Sequence, residues 1–512
     1  MSIQLPVRLG LWTLLLLCLF ACAPGLAPLL WQSEQGFVAA WNVANPAPLA
    51  NVAIAPDLWR GMGIGALLPA QPLLLLGVEP AHAVQWVLLS CMVLGALGIY
   101  AWLQGRLGDR AAALAGSVYL LLPALLTTVY VRASLGDALI LALLPLALAG
   151  VSVFAGERSP LGAAVALLAI VWMVRTQAGL ALGAALLLAL YALLVERSRL
   201  GLLLVVGGAA AALLSLNPAW SVRAALPPFG DPVAGPFASL YGLLRTGWMP
   251  AQPLQIGVPA LALSAAALLG LIALHSPVDG LPGSNRRLLI FSLAGSVLLF
   301  ALTLGWSAPL WRMTGAQQFL NAPWQIGLLA APLLAAASGC TLLYFTDLWR
   351  PAWFGAMAVV LLLGAQPYLA PTYTAAVPPA RPVVVLGNAQ VAVLAAQVAA
   401  SAPAADGTRR ATLSFDWQAL APLPFDANLF FQALDTSGDT PRVIAQLDAP
   451  PSAQHPATSW RTGDLFAETY TLDLPANAPP NLTYHVGLYN WQDGTRLRVH
   501  GGLDDKLVLY GG

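Results

Sequence analysis

The segment AAALAGSVYLLLPALLTTV (111–129), YVRASLGD (130–137), ALILALLPLALAGVSVFA (138–155) sets an arginine and a carboxylate between two apolar runs. Each run is long enough to cross a bilayer, and neither carries an ionisable side chain apart from a tyrosine phenol. Arg132 and Asp137 therefore belong at a membrane surface or in a cavity opening onto it. Two readings of the octapeptide stand: a short polar turn between spans, or part of a functional site. A five-residue separation lets the two charges meet across a compact turn, whereas a continuous helix would point them to different sides. An isolated charge at a helix centre costs about 2.5–3.5 kcal/mol on insertion scales, so pairing or a shared partner is expected.

Working outward, the whole chain shares this character. Of 512 residues, 59% are hydrophobic and 9% charged, with a mean hydropathy of +0.75. Such a composition belongs to a polytopic membrane protein. The net charge is +1, and Lys506 is the single lysine among 23 basic residues, which excludes a nucleic-acid footprint. Cys18, Cys22, Cys91 and Cys340 lie in apolar runs without metal-ligand spacing, so neither a disulfide framework nor a metal site is expected. The stretch after Arg8, LGLWTLLLLCLFACAP, resembles a signal peptide, but its apolar residues continue to Trp31 and make a retained first span the preferred reading.

Apolar spans are expected near 9–31, 83–103, 111–130, 138–155, 161–174, 178–195, 201–216, 258–275, 288–305, 326–345 and 352–370, about eleven in all. A cytoplasmic N-terminus places Arg106, Arg110, Arg158, Arg197, Arg199, Arg286, Arg287 and Arg350 in short cytoplasmic loops. The C-terminal part then lies outside the cytoplasm. On that outer face fall the loop 32–82, the YVRASLGD turn, the turn at 175–177, and the loops 217–257 and 306–325. Residues 62–78, apolar but interrupted by Gly63, Gly65, Pro69 and Pro72, read as a re-entrant or interfacial segment. The tryptophans flanking these loops suit the headgroup level.

From about Ala375 the pattern changes to period-two alternation with frequent turn signals. The expected organisation is a transmembrane domain over 1–374, a Pro-rich linker over 375–385, and an extracytoplasmic antiparallel β-sandwich over 386–512. Strands are expected at 411–417, 427–434, 441–447, 466–474, 482–490, 495–499 and 506–510.

Four pieces, APDLWRGMGIG (55–65), YVRASLGDALILALLPLAL (130–148), WMVRTQAGL (172–180) and SAPLWRMTGAQQFLNAPWQIGLLA (307–330), carry a family resemblance. The membrane part resembles the bacterial 6-pyruvoyl-tetrahydropterin-synthase-related membrane proteins, a group similar to polytopic GT-C glycosyltransferases. The chain departs from that pattern in three places. The first loop reads SEQGFVAAWN with Glu34 alone; the Thr-His-Asn-like turn is Arg175-Thr176-Gln177; and Gln325 stands where an arginine is expected. LSFDWQALAPLPFDANLFFQALD (413–435), TSWRTGDLFAETYTLDLP (458–475) and YHVGLYNWQDGTRL (484–497) resemble β-sandwiches appended to bacterial membrane mannosyltransferase-like proteins.

The resemblance implies glycosyl transfer from a polyprenyl-phosphate sugar to an extracytoplasmic acceptor. That reaction needs a carboxylate to take the acceptor proton and cationic or dipolar groups to hold the departing lipid phosphate. Asp57 and Glu34 are the candidates for the first role. Arg60, Arg132 and Arg175 are those for the second, with Asp137, Gln177, Trp324 and Gln325 as further substrate-binding residues. No cofactor is implied. The alternative is a non-catalytic membrane subunit or scaffold whose β-sandwich binds a protein or glycan partner. No GxxxxGK[ST] motif occurs, GMGIG (61–65) has the wrong spacing for a dinucleotide fingerprint, Asp504-Asp505 reads as a solvated turn, and the histidines form no triad.

Overall fold

A proline decides the course of the chain just before the octapeptide. The computed structural model describes residues 8–27, 30–31, 39–40, 43, 62–216, 221–222, 254–273, 283–316, 319–320, 322–371, 373–374, 383–387, 390–402, 404, 407–421, 423–438, 441–452, 455–461, 463–479, 481–499 and 504–510. Within them Pro123, which cannot continue a helix, forces Leu122 into an extended conformation (ψ 130°). The apolar run 111–130 is thereby split into α3 (Asp109–Leu120) and α4 (Pro123–Tyr130), bent by 46°. The chain then turns and enters α5 (Leu135–Glu157).

Each apolar run expected as a span is helical over most of its described residues. They form α1 (Leu9–Cys22), α2 (Pro80–Leu107), α3 with α4, α5, α6 (Pro160–Thr176), α7 (Ala178–Leu194), α8 (Arg199–Leu214), α9 (Val258–Ala273) and α10 (Gly283–Thr303). A 3-10 stretch over Pro323–Ala330 leads into α11 (Ala331–Tyr344), followed by α12 (Pro351–Ala365). Among the described residues six helices are long and apolar enough to cross a membrane, or seven with the bent pair; α6 to α9 are shorter apolar helices. Their outer faces leave Leu203, Leu269, Val297 and Leu363 exposed, a pattern stable against lipid and unfavourable against water. The segment read as re-entrant is broken into short helical pieces, Ile64–Leu67 and Gln71–Leu75, with Leu75 and Leu76 exposed.

With no hydrophobic drive between helices in lipid, close backbone approach and interhelical hydrogen bonds hold the bundle. A Cβ on Gly150 would lie 2.7 Å from the Gly162 carbonyl oxygen, so α5 and α6 touch backbone to backbone. Gly339 does the same for α11 against Ala111 of α3, at 2.8 Å. Hydroxyls add to this: Thr341 Oγ1 donates to Leu263 O (2.7 Å) and Ser338 Oγ to Ala260 O (3.2 Å), joining α11 to α9. The first amides of α1 find their acceptor on another helix, Gly10 N donating to Asp109 Oδ2 at 2.7 Å.

At one end of the bundle a polar network joins α2, α5, α7 and α10. Arg106 pairs with Glu196 and donates to Ser152 Oγ (3.1 Å), Tyr191 donates to Glu196, and Trp102 Nε1 donates to Tyr191 Oη (2.8 Å). Asn285 reaches the Arg106 carbonyl and Arg287 the Val195 carbonyl, both at 3.2 Å. These are arginines of the loops read as cytoplasmic.

A helical unit closed by Tyr373 and a β unit opening at Thr374 are each compact. The β unit holds β1 (Val384–Leu386), β2 (Val391–Ala400), β3 (Arg409–Ala419), β4 (Ala427–Asp435), β5 (Arg442–Ala449), β6 (Leu465–Leu474), β7 (Thr483–Asn490) and β8 (Leu507–Tyr510). They make two antiparallel four-stranded sheets, ordered β6-β3-β2-β1 and β8-β7-β4-β5. Leu413, Phe415 and Trp417 from the first sheet and Leu429, Phe431, Tyr484, Val486 and Leu488 from the second share one core. The stretch 495–499 is not a strand. It folds back after the turn at Gly494 (φ 73°) and meets β7 and β1 through the isolated bridges Arg496–Tyr489 and Val499–Leu386, with Leu497 N donating to Leu488 O at 2.8 Å.

Candidate functional site

The turn between α4 and α5 is built by the backbone. Val131 N and Arg132 N both donate to Thr127 O, at 3.1 and 2.8 Å, and Ser134 N donates to Thr128 O at 3.0 Å. Closing the turn so tightly puts Ala133 in the left-handed region (φ 46°), which a non-glycine residue enters at a cost of about 1–2 kcal/mol. The reversal brings Arg132 against the first turn of α5, where Asp137 sits.

Arg132 Nη1 donates to Asp137 Oδ2 at 2.8 Å, with the two side chains 8% and 3% exposed. Two charges so far from water are tolerable only when paired and hydrogen-bonded. Arg132 Nη2 donates to Thr128 Oγ1, whose own hydrogen reaches Ala124 O at 2.7 Å. The guanidinium carbon lies 4.4 Å from the centre of the Trp324 ring, so one face of the cation is covered. Asp137's other oxygen, Oδ1, accepts from Gln325 Nε2 at 3.1 Å, while Gln325 Oε1 accepts from Ala322 N at 3.4 Å. Gln177, the N-cap of α7, is buried, and its Oε1 lies 3.5 Å from where a Cβ on Gly136 would stand.

Arg132, Asp137, Gln177, Trp324 and Gln325 thus gather in one place, from three stretches far apart in sequence. Thr128 joins them, from the last turn of α4 to Arg132 in the turn that follows. Three helical N-termini meet beside these residues, those of α5, α7 and the Pro323 helix, each presenting the positive end of its dipole. Arg132 Nε is buried and has no hydrogen-bond acceptor. A fork of donors with one member unused, at the positive ends of three helices, is chemistry suited to an anion.

Arg175, two residues before Gln177, is held by the end of α8 and by the 62–65 stretch. Its Nη2 donates to Ser215 Oγ at 3.1 Å, and its carbonyl is pressed against the Gly63 backbone, where a Cβ would sit 2.0 Å from the oxygen. Gly63 and Met62 pair with Ser221 and Val222, and Trp172 Nε1 donates to Gly65 O at 2.8 Å, which fastens two loops to the end of α6. Glu34, Asp57 and Arg60 lie outside the described residues. Among the described residues no group of His, Cys, Asp and Glu could hold a metal ion.

No known protein family matches the chain, and no curated protein matches it. Among solved structures it is similar to the arabinofuranosyltransferase AftD from Mycobacteria, with 18% identity, a TM-score of 0.43, and coverage of 71% of this chain and 26% of that one. It is similar to the oligosaccharyltransferase of Archaeoglobus fulgidus, solved with zinc and sulfate, at 12% identity and a TM-score of 0.36, covering 71% of this chain and 53% of that one. It is also similar to ArnT from Cupriavidus metallidurans bound to undecaprenyl phosphate, at 13% identity and a TM-score of 0.29, covering 68% of this chain and 79% of that one. The chain therefore spans 26% and 53% of the length of the first two.

Proposed function

We propose that this chain is a membrane glycosyltransferase of GT-C-like design that takes a sugar from a polyprenyl-phosphate carrier on the extracytoplasmic face. The observation that carries the reading is the buried Arg132 guanidinium, with an unused Nε–H, at the meeting point of three helix N-termini. The motif resemblance supports it. In this reading an acceptor hydroxyl attacks the anomeric carbon, and a carboxylate, Asp57 or Glu34, takes the proton. The bond from that carbon to the phosphate oxygen breaks, and the carrier phosphate leaves with the electron pair, stabilised by Arg132. Trp324 and Gln325 hold Arg132 and Asp137 in register, Gln177 supports α5, and Arg60 and Arg175 line the approach. The N-terminus lies in the cytoplasm, and the C-terminal β-sandwich lies outside.

One observation favours a second reading, a non-catalytic membrane subunit or scaffold with the sandwich binding a protein or glycan partner. Arg132 already holds Asp137, Thr128 and Trp324, as a purely structural clasp would. Two variants separate the readings without stranding a buried charge: Arg132→Lys, and the neutral pair Arg132→Gln with Asp137→Asn. Purified protein is assayed for transfer from prenyl-phosphate pentose and hexose donors. Both variants are expected to elute as the wild type does and to lose about a hundredfold in turnover, the usual effect of removing one donor to developing charge. Turnover unchanged in both, or absent from the wild type with every donor, would assign the cluster to the clasp.

A further inference from the structure

The carboxylate that neutralises Arg132 is fastened independently of it. Asp137 occupies the first turn of α5, where the helix dipole favours a negative charge, and Gln325 Nε2 holds its Oδ1 at 3.1 Å. It takes only Nη1 of the guanidinium. The unused donor is Nε, while the Trp324 ring closes one face. An anion reaching the free Nε therefore meets a cation that already has a partner, and Asp137 has two reasons to remain where it is.

We propose that Asp137 is a product-release residue: a resident counter-anion that weakens the hold of Arg132 on a phosphate dianion more than on a phosphodiester. This rests on the reading of Arg132 as the phosphate's partner. A sugar-phosphate-prenol is a diester with one negative charge; after transfer the carrier is a monoester bearing close to two. Repulsion from a fixed carboxylate grows with the charge of the ligand, and in a buried site it is poorly screened. The donor is then admitted at little penalty and the spent carrier is let go. A bare arginine in the same place would retain the dianion and suffer product inhibition. Asp137 touches neither sugar nor acceptor in this scheme; it acts through Arg132.

The test uses two probes with the same tail, a short prenyl monophosphate and its methyl phosphodiester, titrated against the full-length protein in nanodiscs of neutral lipid. In the wild type the two affinities are expected to lie within about threefold of each other, because Asp137 offsets the second charge. In Asp137→Asn the monophosphate is expected to bind about tenfold tighter while the diester changes by less than about threefold. Inhibition of turnover by added monophosphate should strengthen in parallel. Asp137→Ser provides the same loss of charge should the asparagine variant be unstable. Weaker binding of both probes in the neutral variants would make Asp137 a scaffold for Arg132 and overturn the proposal, as would an equal shift for both. The neutral double variant, Arg132→Gln with Asp137→Asn, separates the two claims. If it binds both probes as the wild type does, the reading of Arg132 itself fails. If it loses binding while Asp137→Asn does not tighten the monophosphate, only the present inference fails.

Discussion

Ala133 is the residue on which the cluster turns, because its left-handed backbone (φ 46°) is what folds Arg132 back onto Asp137. Glycine adopts that conformation without a Cβ clash. Ala133→Gly is accordingly expected to stabilise the protein by about 1 kcal/mol, and Ala133→Val to destabilise it by at least as much, read as opposite shifts of the thermal midpoint. A fall for both would mean that the turn relaxes elsewhere. At this scale the pairing of Arg132 with Asp137 was legible, since an unpaired charge between two spans is too costly to leave. That Trp324 would cover the guanidinium and Gln325 hold the carboxylate's second oxygen was not. Those contacts join residues nearly two hundred positions apart, and no local pattern encodes them.

The α4–α5 turn has a counterpart in the one between α7 and α8. There Glu196 N donates to Tyr191 O (3.2 Å), Ser198 N to Ala192 O (2.9 Å), and Arg197 takes the left-handed conformation (φ 54°). In both turns the residue before the left-handed position is charged and paired inside the bundle, Arg132 with Asp137 and Glu196 with Arg106. The helices themselves were legible, because long apolar runs bounded by Pro, Gly and Arg leave little alternative in lipid. The helix contacts were less so. Gly339 reads as one small residue among several in ASGC, yet it sets the approach of α11 to α3. Gly339→Val should lower the thermal midpoint and the monodisperse yield, at about 1–3 kcal/mol for forced overpacking. Gly207→Val, where nothing stands within 4 Å, should leave both unchanged. Equal behaviour of the two would show that the α3–α11 contact is loose. In the β unit the missed elements were β1, three residues at the end of the stretch read as linker, and β2, whose VAVLAAQVAA shows no clean polar alternation although it lies inside its sheet, flanked by β3 and β1.

For the whole molecule, an apolar chain of net charge +1, two largely buried ion pairs stand out among the described residues of the helical unit, each at the ends of helices. One lies in the network around Arg106 and Glu196. The other is that of Arg132, where one buried donor has no acceptor and three helix N-termini meet. The first suits a fixed anchor, whereas the second keeps a donor in reserve, which is why the functional reading rests on Arg132. Part of this was legible from the order of polar loops along the chain, which collects alternate turns on one side. Arg175 shows what loop order does not encode: its Nη2 donates to Ser215 Oγ at the end of α8. The central claim is that Arg132 is the ligand of a carrier phosphate, and a structure of the full-length protein in nanodiscs with a prenyl monophosphate addresses it directly. The account predicts a phosphate oxygen about 3 Å from Arg132 Nε, with Asp137 still held by Gln325. A headgroup bound elsewhere, with the guanidinium engaged only by Asp137 and Thr128, would contradict it.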